Sequence, residues 1–93
     1  MRATAVTRDV VVCNRLGLHA RAAAQFVKIA GGFQAEITVA VDRHKVNGKS
    51  IMGLLMLAAS QGAILRLRAQ GEDGSAALQA LVALVEARFG ERE

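Results

Sequence analysis

The sequence predicts an α+β fold, a two-layer sandwich with helices over one face of an antiparallel sheet. Two stretches, QAEITVAV (34–41) and AILRLRA (63–69), alternate apolar and polar residues as half-buried strands do. Two others, one after LGLH and one after GEDGS, carry apolar residues at helical spacing. Strand-like and helix-like stretches succeed one another as βαββαβα, with no linker, repeat or low-complexity segment between them.

The elements follow in order. AVTRDVVVC, Ala5 to Cys13, is rich in β-branched residues and puts Val6, Val10 and Val12 on one face. Asn14 to Gly17 reads as a turn or loop. From His19 to about Ala30 an alanine-rich helix is expected, with Ala20, Ala23, Ala24, Val27 and Ala30 in line and Gly31-Gly32 stopping it. In the next strand Ala35, Ile37, Val39 and Val41 share a face. Asp42-Arg43 turns the chain into a short strand through Lys45 and Val46, and Asn47-Gly48 turns it again. SIMGLLMLAAS reads as a short helix. The strand after it points Leu65, Leu67 and Ala69 inward and Arg66 and Arg68 outward. Asp73 to Ser75 offers caps for a last helix. Its stripe of Leu78, Leu81, Val82, Val85 and Phe89 faces the core, and Gly90 ends it.

Composition bounds the function. Ninety-three residues, 53% of them hydrophobic, suit one domain spanning 1–93 with a real core. No apolar run reaches a membrane span of about 18–20 residues, and MRATAVTRD lacks the apolar stretch of a secretory signal. Cys13, the only cysteine, has no internal partner and reads as a small buried hydrophobe, so a cytoplasmic location is expected. The net charge of +4 favours acidic partners, nucleic acid or protein. With no Trp or Tyr, and with Phe26, Phe33 and Phe89 at core positions, no ring is left for stacking on bases, which disfavours nucleic acid. His44, in or after a turn without ligand-like neighbours, reads as an exposed strand residue, and no metal site is expected.

LGLHAR, 16 to 21, sets His19 at the start of the alanine-rich helix. The amides of Ala20, Arg21 and Ala22 fall among the orphan donors of its first turn. Those donors and the helix dipole favour an anion over a cation and leave a ring nitrogen available as a nucleophile. A phosphoryl group attached there would be received by the same amides, with the Arg21 guanidinium able to fork onto it. The same spacing also suits a histidine that merely caps the helix beside a solvated arginine.

The wider pattern bears on that choice. NRLGLHARAAAQFVKIAGGF, then NGKSIMGLLMLAASQG, then the GED turn and an amphipathic last helix, closely resembles the HPr family of phosphocarriers over nearly the whole chain. The resemblance implies an open-faced β-sandwich with strand order 1-4-2-3. It implies that His19 is phosphorylated on Nδ1 by enzyme I, charged by phosphoenolpyruvate, and passes the group to EIIA components, with Arg21 stabilising charge. Neither a cofactor nor self-association is implied. Many family members carry proline where this chain has Ala22. Proline would fix φ and give up an orphan amide, so alanine costs some rigidity and no chemistry. Alanine there also suits nitrogen-related phosphocarriers, which stay an alternative to a sugar-transport branch.

GKS at 48–50 is no P-loop, because that motif needs a glycine at position 43, which is Arg43. Ser50 reads as the N-cap of the second helix. The resemblance adds that the serine of KSIMG is a regulatory site for an HPr kinase/phosphorylase. Ile51 to Ala59 has no polar side chain, and a short helix buries only one stripe. With Leu54 and Leu57 inward, Ile51, Met52 and Leu55 form an exposed patch for partners. Family positions add Ala24, Lys28 and Lys49 around it, the lysines meeting acidic surfaces. The rivals from other classes are a small basic nucleic-acid-binding domain and an interaction module whose histidine is never phosphorylated.

Overall fold

Four strands, β1 (Ala5–Val11), β2 (Glu36–Val41), β3 (His44–Asn47) and β4 (Ile64–Gln70), form one antiparallel sheet in the computed structural model, which describes residues 4–93. Their order is β1-β4-β2-β3. The helices are α1 (Ala20–Ala30), α2 (Ile51–Met56) and α3 (Gly74–Glu86), followed by a 3₁₀ turn at Arg88–Gly90. The sequence-based fold class and the strand order implied by family resemblance both hold.

β4 shows why the fold has one covered face. Leu65, Leu67 and Ala69 are fully buried while Ile64, Arg66, Arg68 and Gln70 stay outside. The register carries that alternation across the sheet, pairing Leu65 with Val10, Leu67 with Val39 and Ala69 with Ile37. A slip of one residue would turn all of these to water. The helices meet this face with Phe26, Leu54, Leu78, Leu81 and Val85, each buried to within 1%. Each such side chain contributes roughly 1.5–3 kcal/mol.

Two helices differ from expectation in their buried faces or their ends. In α1 the core stripe is Ala22, Ala23, Phe26 and Ala30, not the line through Ala20 and Ala24, which are exposed. Phe26 has the most apolar surface to bury, and it turns the helix by a fraction of a turn. α3 stops at Glu86 rather than at Gly90. Phe89 still reaches the core, yet it does so from the left-handed region (φ 54°), with Arg88 before it at φ 58° and Gly90 after it at φ 80°.

Asp73 occupies the N-cap position of α3 but does not cap it with its side chain. Its two carboxylate oxygens instead accept from the backbone N–H groups of Gln34 and Ala35, both at 2.8 Å. The Gln34 bond leads in holding this carboxyl below its ordinary value, followed by Ala35 and the nearby Lys49 charge, against some desolvation. A depressed carboxyl stabilises the fold above its unfolded pKa and loses that effect as pH falls through the folded one. Asp73→Asn should therefore melt below the wild type at neutral pH, with the gap closing under about pH 4. Thermal melts across pH 2.5 to 7 check this, and a gap that persists at the acid end would contradict it.

Candidate functional site

His19 is the N-cap residue of α1, with extended backbone (φ −80°, ψ 179°). Its carbonyl accepts from Ala23 N–H at 2.8 Å, which starts the helix. The preceding turn is tightly tied. Leu18 N–H donates to Ala59 O and His19 N–H to Gly17 O, both at 2.9 Å. Gly17 is in the left-handed region (φ 68°), where a Cβ would lie 2.5 Å from Ala59 O. Only glycine fits there.

The imidazole does not cap its own helix. Its Nε2 hydrogen-bonds the Oε2 of Glu91, so the neutral ring pairs through its Nε2–H tautomer and Nδ1 is the nitrogen left for an electrophile. Glu91 is itself held, because Asn14 Nδ2 donates to its Oε1 at 2.9 Å and to Gly17 O at 2.8 Å. With both Nδ2 protons used, the fully buried Asn14 leaves its Oδ1 without a partner, a cost the turn carries to keep this geometry. The Asn14 bond, then the His19 bond, then the charges of His19 and Arg21, keep the Glu91 carboxyl below its usual range despite some desolvation. It is therefore an anion at neutral pH.

Ala20 and Arg21, whose amides belong to the first turn of α1 beside His19, are exposed residues, whereas Ala22 is fully buried. The Arg21 side chain is exposed, and its charge reaches Glu91. Ser50 caps α2, its Oγ accepting from Gly53 N–H at 3.0 Å. Leu54 and Leu57 are buried, with Ile51 and Met52 exposed. Leu55 departs from the expected patch, since it packs partly against the core, and Met56 takes its place outside at 77% exposure. Leu16 is also outside, at 68%. Ala24 and Lys28 lie on the exposed side of α1. Lys49 is only half-exposed and donates from Nζ to Phe33 O at 2.7 Å, so its ammonium is largely committed to the loop after α1.

His44 is exposed in β3 as expected, and Cys13, half-buried, points its thiol at Val85 O (3.4 Å). Among the described residues no three His, Cys, Asp or Glu side chains gather where they could hold a metal ion, and no helix is long and apolar enough to cross a membrane. The sequence reading missed Asn14 and Glu91. A buried asparagine in a turn has a weak signal of its own, and Glu91 lies 72 residues from the ring it touches.

A family model described as "PTS HPr component phosphorylation site" matches residues 6–87. The chain is 49% identical over 83 residues to the phosphocarrier protein HPr of Xylella fastidiosa (strain 9a5c), covering 89% of this chain and 93% of that protein. It is 46% identical over 88 residues to the phosphocarrier protein NPr of Shewanella violacea, covering 95% and 97%. A crystal structure of HPr-C-His from Thermoanaerobacter tengcongensis superposes with a TM-score of 0.91 at 45% identity, over 95% of this chain and 99% of that one.

Proposed function

The chain belongs to the HPr family of phosphotransferase-system phosphocarriers, and from that premise we propose that His19 takes a phosphoryl group from phospho-enzyme I and passes it to EIIA proteins. What supports this most is the placement of the ring, at the N-terminus of an eleven-residue helix with Nε2 engaged and Nδ1 left over. The Nδ1 lone pair attacks phosphorus as the donor takes back the electron pair of its own bond to it. The amides of Ala20 and Arg21 and the α1 dipole then meet the phosphoryl oxygens, an interaction of about 0.3–1 kcal/mol for the dipole alone. Arg21 adds an exposed guanidinium. Incubation with enzyme I and labelled phosphoenolpyruvate should yield an acid-labile, alkali-stable label, and no label under conditions that charge enzyme I would refute the reading.

The likeness to NPr favours a second reading of the acceptor, a nitrogen-related EIIA rather than a sugar-transport one. Transfer rates to purified EIIA proteins of the two kinds decide between them.

The apolar surface of Ile51, Met52 and Met56 beside α1 is the docking face in this reading, with Ala24 and Lys28 along its α1 side. Phosphorylation of Ser50 by an HPr kinase/phosphorylase would add about −1.5 to −2 charges at its edge. The helix end tolerates that charge, whereas an apolar partner surface shedding water does not. Met52→Glu and Ser50→Asp should both slow labelling by enzyme I. For Met52→Glu the melting temperature should stay unchanged, because the side chain is 70% exposed. Stopped-time labelling beside thermal melts checks this. Unchanged rates would reduce Ser50 to a helix cap, and a large drop in melting temperature for Met52→Glu would make that methionine structural.

A further inference from the structure

The segment after α3 is bent at a cost. Two residues other than glycine, Arg88 and Phe89, adopt left-handed backbone, and such conformations persist only where the surroundings enforce them. Phe89 is 3% exposed in the core on one side of Glu91. On the other side, Glu93 accepts from Arg15 N–H through its carbonyl and pairs with the Arg15 side chain at 3.1 Å. Between these anchors the Glu91 carboxylate bridges Asn14 and the His19 ring.

We propose that Glu91, held by Asn14, is a positioning residue for phosphoryl transfer on His19, one that keeps a proton on Nε2 so that Nδ1 attacks and the phosphorylated ring stays ready to pass the group on. The inference rests on the carrier reading for its biological step, though its chemistry belongs to this chain's own residues. As the Nδ1–P bond forms and the donor's bond to phosphorus breaks, the ring becomes cationic. The Nε2–H then donates to a carboxylate, a charge-assisted bond stronger than the one the neutral ring makes. With that proton retained, the ring leaves as neutral imidazole in the next transfer rather than as an imidazolate. The depressed Glu91 carboxyl fits this role, since it accepts the hydrogen bond without taking the proton. It engages the nitrogen on the other side of the ring from Nδ1, and the Arg21 charge acts favourably on the same carboxylate, which offsets part of its repulsion of the incoming phosphoryl group.

Wild type, Glu91→Gln and Glu91→Ala test this with phosphoramidate, a small phosphoryl donor that needs no enzyme I. In the reaction the Nδ1–P bond replaces the P–N bond of the reagent and ammonia leaves. Glu91→Ala should accept the group roughly tenfold more slowly, the size of one lost charge-assisted hydrogen bond. Above the pH at which the unpaired ring gives up its Nε2 proton, its phosphohistidine should last longer against hydrolysis than that of the wild type, because the group would then have to leave an imidazolate. Glu91→Gln, of the same size and with one acceptor oxygen, should fall between the two while melting near the wild type. Proton NMR supplies a signal that a purely structural role would not move, a slowly exchanging downfield Nε2–H resonance present in the wild type and lost in Glu91→Ala. Equal rates, lifetimes and ring resonances in all three proteins overturn the proposal. Phosphoramidate labelling that depends on Glu91, beside no labelling by enzyme I, would instead overturn the carrier reading and leave the role of Glu91 standing.

Discussion

His19→Ala is expected to give a folded protein that takes no label from phospho-enzyme I. It should melt only somewhat below the wild type, because the ring's bond to Glu91 is lost while α1, which the imidazole does not cap, keeps its own backbone bonds. What is lost is the nucleophile. Ala20 and Arg21 leave two amides and a guanidinium able to attract phosphate, but none of them can form a bond to phosphorus at neutral pH. Arg21→Ala should in contrast slow labelling and still permit it, since the helix amides remain. Circular dichroism and a labelling time course decide the matter. A folded His19→Ala protein that labels fully would end the assignment of His19.

Gly17→Ala should cost the most stability of any single methyl group added near the site. The new Cβ would sit 2.5 Å from Ala59 O and 2.9 Å from Ser60 Cα, both backbone atoms that cannot swing aside. Left-handed backbone adds about 1–2 kcal/mol for an L-residue, and overpacking typically another 1–3. In a domain of this size a loss of roughly 2–4 kcal/mol lowers the melting temperature by about 10 °C or more. The damage should reach the site as well, because Gly17 O accepts from both His19 N–H and Asn14 Nδ2. Labelling at a temperature where the variant is still folded should therefore be slower than in the wild type. A melt within 2 °C of the wild type would show that the turn relaxes freely, contrary to the tight contacts drawn above.

The fold was legible where one rule governed many residues at once. Period-two alternation in β2 and β4 placed Ile37, Val39, Leu65, Leu67 and Ala69 correctly, because a strand has only two faces. A helix offers a continuum of faces, so alanine spacing alone leaves the stripe of α1 uncertain by a fraction of a turn, and Phe26 in the core sets it. On α2 the same ambiguity exchanged Leu55 for Met56. His19, Arg21 and Ser50 stand at helix starts, where sequence signals are local. Asn14, Asp73, Lys49 and Glu91 were illegible for the opposite reason. Each makes its decisive bond to a group from 16 to 77 residues away, and no spacing rule reaches that far.

The strand order has a consequence for how the protein comes together in time. β1 is made first, yet among the described residues its sole neighbour in the sheet is β4, and cross-strand partners such as Asp9 and Arg66 are separated by 57 residues. Loop-closure entropy must be met before that pairing returns any free energy, so topologies dominated by distant contacts fold in milliseconds to seconds rather than microseconds. The β2–β3 hairpin, closed by a two-residue turn, needs no such wait. The valine-rich β1 therefore remains an unpaired strand until β4 arrives, the interval in which such a segment is most exposed to aggregation. Thr7, Arg8 and Asp9 interrupt its apolar run, the pattern by which polar residues limit the aggregation of an unpaired strand.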